Sequence, residues 1–365
     1  MSWVWQLANW PNFSYNSNIL KEREAKFWQE SGYLKGLFQA LNPSTVLKAQ
    51  AELIEAEALQ TSAIEGEVLR RSSVQHSILR EFGLRHKPQE IRLRENGIVA
   101  VLADCFRQYN APLTHEAICH WHQSLCAYQG AASQLGHYRQ STEPMLILSG
   151  SIGREKIIYE APPSPSIRVE MGHFMRKFHQ MHQDPNIGPL ERAALAHLHF
   201  ECIHPFVDGN GRIGRTIVEK SLALSLDTPY FAALSSTIQK DKRSYYQALA
   251  SCNQSLDANT FLNYFADLIL AAQGATRIIF DTVLARTKWF TEFADKLNPR
   301  QLKAAKKVWA AEPKGFDGGL SSEKYIAITN ASAATATRDL RHLVSIHAFR
   351  KTGEKKGTRY WLVRI

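Results

Sequence analysis

One segment, His204-Pro205-Phe206-Val207-Asp208-Gly209-Asn210-Gly211-Arg212-Ile213-Gly214-Arg215, concentrates residue types that act on phosphates. Two glycines flank Asn210 just before a helical pattern, so backbone N–H groups can converge at a positive helix end and cradle an anion. Arg212 and Arg215, spaced i and i+3, share a helical face where two guanidiniums can clamp a polyphosphate. Asp208 offers a hard oxygen ligand for Mg²⁺ held against those phosphates. His204 is the neighbouring side chain able to take a proton near neutral pH and fits a general base. Gly209, Gly211 and Gly214 also spell GxGxxG, with Asp227 at the distance of a ribose partner. That fingerprint follows a buried strand in a βαβ unit, whereas AALAHLHFECI has helical spacing, so a dinucleotide fold is excluded.

The elements that must position this segment read as mainly helical. Apolar residues recur at helical spacing from Ile19 and along LKAQAELIEAEALQTSAIEGEVL as far as Gly66, a natural helix stop. Further helices are expected over residues 90–109, 115–128 (opened by Pro112 and Thr114), 169–182, 190–203, 216–226, 242–254 and 259–288. Between Gly136 and Ile167 the runs MLIL and KIIY flank a turn at residues 150–153, which predicts a β-hairpin. The opening residues interleave Trp3, Trp5, Trp10, Pro11, Phe13 and Tyr15, too aromatic for a disordered tail, and are expected to pack on the body of the protein. From residue 298 the order is helix (RQLKAAKKVWAAE), Gly-rich joint, short helix (SSEKYIAI), a turn at Thr329-Asn330-Ala331, helix (ATATRDLRHLV) and a hairpin around GEKKG. That is the order of a winged helix-turn-helix.

Composition bounds the reading. At 365 residues, 44% hydrophobic and 21% charged, the chain suits two or three globular domains, and no run approaches the ~18 consecutive apolar residues of a membrane span. MSWVWQLANW lacks a basic n-region followed by an apolar h-region, and the five cysteines include no CxxC pair, so a cytoplasmic, reducing location is expected. Residues 300–365 hold 14 Lys plus Arg against 5 Asp plus Glu, a surplus of 9 in a chain whose net charge is +10. A basic module of this kind suits DNA, or serves as a protein docking or dimer module, although charge alone gives only non-specific attraction to phosphate.

Residues 204–215 fit the pattern HxFx(D/E)GNGRxxR at every specified position, and by that pattern the chain resembles the Fic family. The resemblance implies a mainly α fold: a helical Fic core with a β-hairpin flap, followed by a small winged helix-turn-helix domain. The implied boundaries are 1–89 for an aromatic-rich and helical region with an inhibitory helix at about 48–66, 90–290 for the core with its flap at about 138–162, and 298–365 for the winged helix. The implied activity is a protein adenylyltransferase moving AMP from ATP to a Tyr, Thr or Ser hydroxyl of a target protein or of itself. His204 would deprotonate the hydroxyl and Asp208 would hold Mg²⁺. Asn210 with the loop amides would steady the α-phosphate, Gly209 and Gly211 would give the phosphates close backbone access, and Arg212 and Arg215 would hold the outer phosphates.

The same resemblance makes the hairpin a flap that aligns a target peptide by strand addition. It places the adenine pocket on KRSYYQALASCN, with Tyr246 and Asn253 two helical turns apart on one face. Thr61-Ser62-Ala63-Ile64-Glu65-Gly66 fits the inhibitory pattern (S/T)xxxE(G/N), in which Glu65 pairs with Arg215 and keeps the γ-phosphate from its productive place. In some relatives that glutamate also orients water for removal of AMP, others transfer UMP, phosphocholine or phosphate, and self-association is common. A DNA-tethered regulator with a nucleotide-sensing core is the alternative reading. Cys119, His122 and Cys126 share one face of a single helix, too few ligands for zinc, and are expected to pack in the core, whereas the histidines of the other helices are expected either to pack or to lie on solvated faces. Phe206 is expected to be a buried anchor of the loop.

Overall fold

Apolar residues at helical spacing, punctuated by Gly, Pro and capping side chains, give a chain that is mainly helical in the computed structural model, which describes residues 2–83, 92–130, 134–149 and 155–364. The chain divides into two compact units, Met1–Ala40 with Gln50–Thr276, and Leu41–Ala49 with Arg277–Ile365. In order the helices are α1 (Lys21–Ala40), α2 (Pro43–Ile64), α3 (Arg71–Glu81), α4 (Leu93–Arg107) and α5 (His115–Cys126). A two-stranded antiparallel hairpin follows, β1 (Leu146–Ser149) and β2 (Lys156–Glu160), pairing Leu146 with Glu160 and Ser149 with Lys156. Then come α6 (Ile167–Gln183), α7 (Pro189–Ile203), α8 (Asn210–Leu226), α9 (Leu234–Ile238), α10 (Lys242–Ala250) and α11 (Asn259–Phe293).

The first unit is organised around α7, whose apolar residues are spread around the helix and which is buried over most of its length from Leu190 to Ile203. It packs against α8, which contributes the buried Ile213, Ile217, Val218 and Leu222. Each such side chain contributes roughly 1.5–3 kcal/mol when fully buried. α5 begins where Thr114 predicted, its Oγ1 accepting from Ala117 N at 3.2 Å. The amino-terminal aromatics do pack on the body: Trp5 Nε1 donates to Glu160 O at 2.7 Å, Trp10 Nε1 to Glu170 Oε2 at 2.9 Å, and Trp3 meets Tyr159 edge-on at 5.6 Å. They thereby tie down the base of the hairpin. By length and composition Asn259–Lys296 is apolar enough to cross a membrane, but Phe261, Leu262, Phe265 and Ile269 are fully buried in the first unit, as in a core helix.

In the second unit, α12 (Pro299–Trp309), α13 (Ser322–Thr329) and α14 (Ala333–Ser345) precede the antiparallel hairpin β3 (Phe349–Thr352) and β4 (Arg359–Leu362). Leu320 and Tyr360 exchange backbone hydrogen bonds of 3.0 and 2.8 Å, an isolated antiparallel bridge that adds a one-residue third strand beside β4. Trp289, Trp309, Tyr325, Leu340 and Phe349 form the core. The element order is the expected one.

Several boundaries depart from the sequence reading. α3 has only Val74 and Ile78 as a buried apolar pair among polar neighbours, too weak a periodicity to read. α8 starts at Asn210 rather than Thr216, because packing against α7 outweighs the low helix propensity of Gly211 and Gly214. α10 stops at Ala250 rather than residue 254. The first unit takes in residues on both sides of residue 90, and the second begins at Arg277 rather than residue 298, because the end of α11 supplies Trp289 and Phe293 to the second core. The predicted hairpin turn at residues 150–153 lies outside the described residues.

Candidate functional site

α7 ends at His204, which adopts a left-handed conformation (φ 49°, ψ 60°) while its N–H donates to Phe200 O at 3.0 Å. Pro205 then prevents continuation of the helix. A non-glycine residue in this region costs about 1 kcal/mol or more, and the surroundings must hold it there. Arg139 does so: its Nε donates to His204 O at 2.9 Å, its guanidinium also donates to Ser164 Oγ and Pro162 O, and its own N–H reaches Pro205 O at 3.0 Å. Phe206 is fully buried, stacked on His122 at 4.1 Å and tilted against Tyr138 at 5.4 Å, as an anchor should be. His122 is thus part of the loop's seat, and among the described residues no group of three or more His, Cys, Asp or Glu could hold a metal ion.

The glycine-flanked loop forms the start of α8. Gly209, its N-cap, has φ 82°, and a Cβ there would lie 2.9 Å from Leu125 Cδ2, so only glycine fits. Asn210 is 2% exposed, with its Oδ1 accepting from Phe206 N at 2.9 Å and its Nδ2 donating to Phe206 O at 2.8 Å. Both polar ends of Asn210 are engaged in shaping the loop, and its second amide hydrogen is left for a ligand. Asp208 Oδ1 accepts from Gly209 N at 2.6 Å and Arg212 Nη2 at 3.1 Å, and its Oδ2 accepts from Gln129 Nε2 at 2.6 Å. Partial burial would raise its pKa, but the Arg212 charge and these hydrogen bonds outweigh it and hold the carboxyl below its ordinary value. Arg212 and Arg215 lie on one helix as the spacing required, yet both are already paired.

The predicted inhibitory residues stand where the pattern put them. Thr61 Oγ1 accepts from Arg215 Nε at 2.8 Å, Thr61 O accepts from Arg215 Nη2 at 3.0 Å, and Glu65 Oε1 accepts from Arg215 Nη2 at 2.7 Å. A Cβ on Gly211 would collide with Glu65 Oε1, so the Glu65 carboxylate lies directly on the glycine-flanked loop. α2 is held there by Glu57, which accepts Ser235 N at 3.0–3.1 Å, and by Lys242 Nζ, which donates to Ile64 O at 2.5 Å. Gly66 (φ 82°) ends the helix in the left-handed conformation.

A cavity of about 580 Å³ opens beside the loop, lined among others by Glu65, Glu201, His204, Arg215, Tyr246 and Asn253. Both candidate adenine contacts therefore face it, although Asn253 lies past the end of α10 rather than on its face. Its Nδ2 donates to Ile158 O of β2 at 2.7 Å and its carbonyl accepts from Val4 N, so this residue joins the hairpin, α10 and the amino terminus. Burial, reinforced by the positive charge of Arg139, lowers the pKa of His204 to about 4, so the imidazole is neutral at pH 7 and able to accept a proton. The sequence reading missed Glu201, 3.9 Å from His204 Nδ1, whose pKa burial pushes up to about 8. A lone acid in the apolar run AALAHLHFECI was the available signal. It also missed Arg139, Gln129 and Glu67, which bear on the loop from distant positions and leave no local trace.

A family model described as the Fic/DOC family matches residues 112–222, around the loop, the hairpin and most of α8. Residues 112–222 are thus similar to the Fic/DOC family. A second model, a domain of unknown function (DUF4172), matches residues 3–84 ahead of the Fic domain. Among curated relatives, the protein adenylyltransferase Fic of Nematostella vectensis is 29% identical over 38% of this chain and 32% of its own length. The Drosophila melanogaster protein of the same name is 35% identical over 29% of this chain and 20% of its own. The chain thus spans a third or less of these relatives. A Fic family protein from Desulfovibrio desulfuricans has a TM-score of 0.53 at 19% identity, covering 97% of this chain and 98% of that one. A Fic domain containing signaling protein from Bacteroides thetaiotaomicron has a TM-score of 0.51 at 18% identity, covering 72% and 97%. These two share the Fic fold with this chain, and the Fic/DOC match at residues 112–222 includes the His204 loop.

Proposed function

We propose that this Fic protein transfers AMP from ATP to a hydroxyl group of a protein, itself included, and that the state described is autoinhibited. The observation that carries the reading is one cavity lined by His204, by Gly211 at the start of α8 and by Arg215, which is paired with Glu65. In the transfer, His204 takes the hydroxyl proton, the oxygen forms a bond to the α-phosphorus, and pyrophosphate leaves with the α–β bridging oxygen. The loop amides and Arg215 would stabilise the charge that develops on the phosphates. Asp208, ionised and half-exposed, suits Mg²⁺, which commonly takes one or two carboxylates and completes its shell with substrate phosphates and water. When bound, that ion would neutralise charge on the phosphates and the departing pyrophosphate. The hairpin exposes Leu148, which lines the cavity, and its strand partner Ile157, which supports target docking by strand addition. The test is intact-mass spectrometry of the full chain after incubation with Mg²⁺ and each nucleoside triphosphate: a gain of one AMP with ATP is expected, and a gain of UMP or phosphate instead would change the donor.

A second reading, DNA binding by the second unit, is favoured by its surface. On α14, Ala333, Ala334, Thr337, Arg338 and Arg341 are exposed, while the one acid of that helix, Asp339, is buried and paired with Arg300 at 2.9 Å. Arg350, Lys351, Lys355 and Lys356 extend the exposed positive charge along the hairpin. The full chain is expected to retard duplex DNA at low salt, and replacing Arg338 and Arg341 with Ala should lower the salt slope by about 1 per lost phosphate contact. Unchanged retardation in that variant would remove α14 as the binding surface.

A further inference from the structure

The turn that carries Glu65 carries a second acid, beyond the end of the inhibitory pattern. After Ile64 the chain reverses at Gly66, with Gly66 N donating to Ala63 O at 3.1 Å and Glu67 N donating to Ser62 O at 2.9 Å. The reversal sends two carboxylates to two arginines one turn apart on α8: Glu65 to Arg215 at 2.7 Å and Glu67 to Arg212 at 2.8 Å. Glu67 is held by its other oxygen, which accepts from Tyr128 Oη at 2.7 Å. Arg212 has its remaining terminal nitrogen on Asp208 at 3.1 Å. The Glu67 contact is the drier of the two, with side-chain exposures of 2% for Arg212 and 16% for Glu67, against 31% for Glu65. A charge pair with less water around it is screened less and yields less readily to a competing anion.

We propose that Glu67 is a second clamp on the phosphate site: it neutralises Arg212 while Glu65 neutralises Arg215, and Tyr128 fixes it in that position. The inference rests on the triphosphate reading above and names the regulation of that site. A triphosphate that needs both guanidiniums must displace both carboxylates. Removal of Glu65 then frees Arg215 and leaves Arg212 occupied, and full affinity requires the whole 65–67 turn to withdraw. A nucleoside monophosphate, with no outer phosphates for the arginines to hold, is indifferent to Glu67.

The test is calorimetric titration of the full chain with α,β-methylene ATP, whose α–β bridge resists cleavage, and with AMP, both with Mg²⁺. The variants are Glu65→Gly, Glu67→Gln, the double variant and Tyr128→Phe. Gln keeps the size of Glu67 and an acceptor for Tyr128 but removes the charge. Glu67→Gln is expected to tighten the analogue about tenfold, alone and again in the Glu65→Gly background, with AMP affinity unmoved. Tyr128→Phe, which leaves both carboxylates in place, should move in the same direction by less. Analogue binding in Glu67→Gln that is equal to or weaker than its parent's, or an equal gain for AMP, overturns the clamp while leaving the triphosphate reading intact. If no variant, Glu65→Gly included, binds the analogue, the triphosphate reading fails and the clamp fails with it.

Discussion

His204→Ala, made in the Glu65→Gly background so that activity is measurable, is expected to lower self-adenylylation by about 10²- to 10⁴-fold, the usual contribution of a positioned general base. The loss should fall on the rate and leave nucleotide affinity close to that of the parent, because the loop and α8 are built by Phe206, Asn210 and Gly209 rather than by the imidazole. The pH profile is a second readout. A lowered pKa means that the neutral, proton-accepting form persists as the pH falls, and is lost only as the pH approaches the folded-state value of about 4. The log of kcat/KM should therefore show no His204 limb between pH 5.5 and 8 (about one unit or more above that value) and should turn down below. An acidic limb centred near the ordinary histidine value would mean that His204 is solvated, contrary to its seat between Arg139 and the cavity wall. A His204→Ala protein that still gained AMP at the parent's rate would sink the assignment of the base altogether.

Glu65→Gly is expected to raise self-adenylylation by about 10- to 100-fold, since a hydrogen bond between charged groups is worth roughly 1.5–3 kcal/mol. Three observations set the direction. Glu65 occupies Arg215 Nη2, its carboxylate lies against Gly211 where a phosphate would sit, and Thr61 retains two hydrogen bonds to Arg215, which keep that side chain in the site when the acid is gone. The substitution also removes a side chain just past the last helical residue, Ile64, so α2 itself should stay docked through Glu57 and Lys242. Intact-mass time courses of the parent and the variant measure the ratio. Equal rates would show that the Glu65–Arg215 pair does not restrain transfer, and a lower rate would recast Glu65 as part of the working site.

Most of the site was readable before any coordinates because its chemistry is contiguous. His204, Asp208, the glycines and both arginines fall within a few turns of chain, and Glu65 sits in a short pattern with its own helix stop. What the sequence did not show has a common cause: a side chain's type is legible there but its neighbours are not. Asn210 has the polarity to bind phosphate, and only the structure adds that its amide also grips the backbone of Phe206. Asn253 was placed on a helical face that ends before it, and it reaches the cavity from a turn braced by β2 and Val4.

The sequence by itself determined the glycine-flanked loop between α7 and α8, the helical character of the core, the hairpin and the order of elements in the second unit. Those follow from local rules: glycine where φ is positive, proline after the last turn, apolar residues at a period of 3.6 or 2. The tertiary structure alone decided which charges meet. Arg139 reaches His204 across 65 positions, Arg212 reaches Glu67 across 145 and Arg215 reaches Glu65 across 150. Pairings of that separation depend on how α2, α5, α7 and α8 pack, and a carboxylate carries no mark in the sequence of the arginine it will neutralise. The protonation states follow the same division, because burial sets the pKa of His204 and Glu201, and burial exists only once the helices have closed around them.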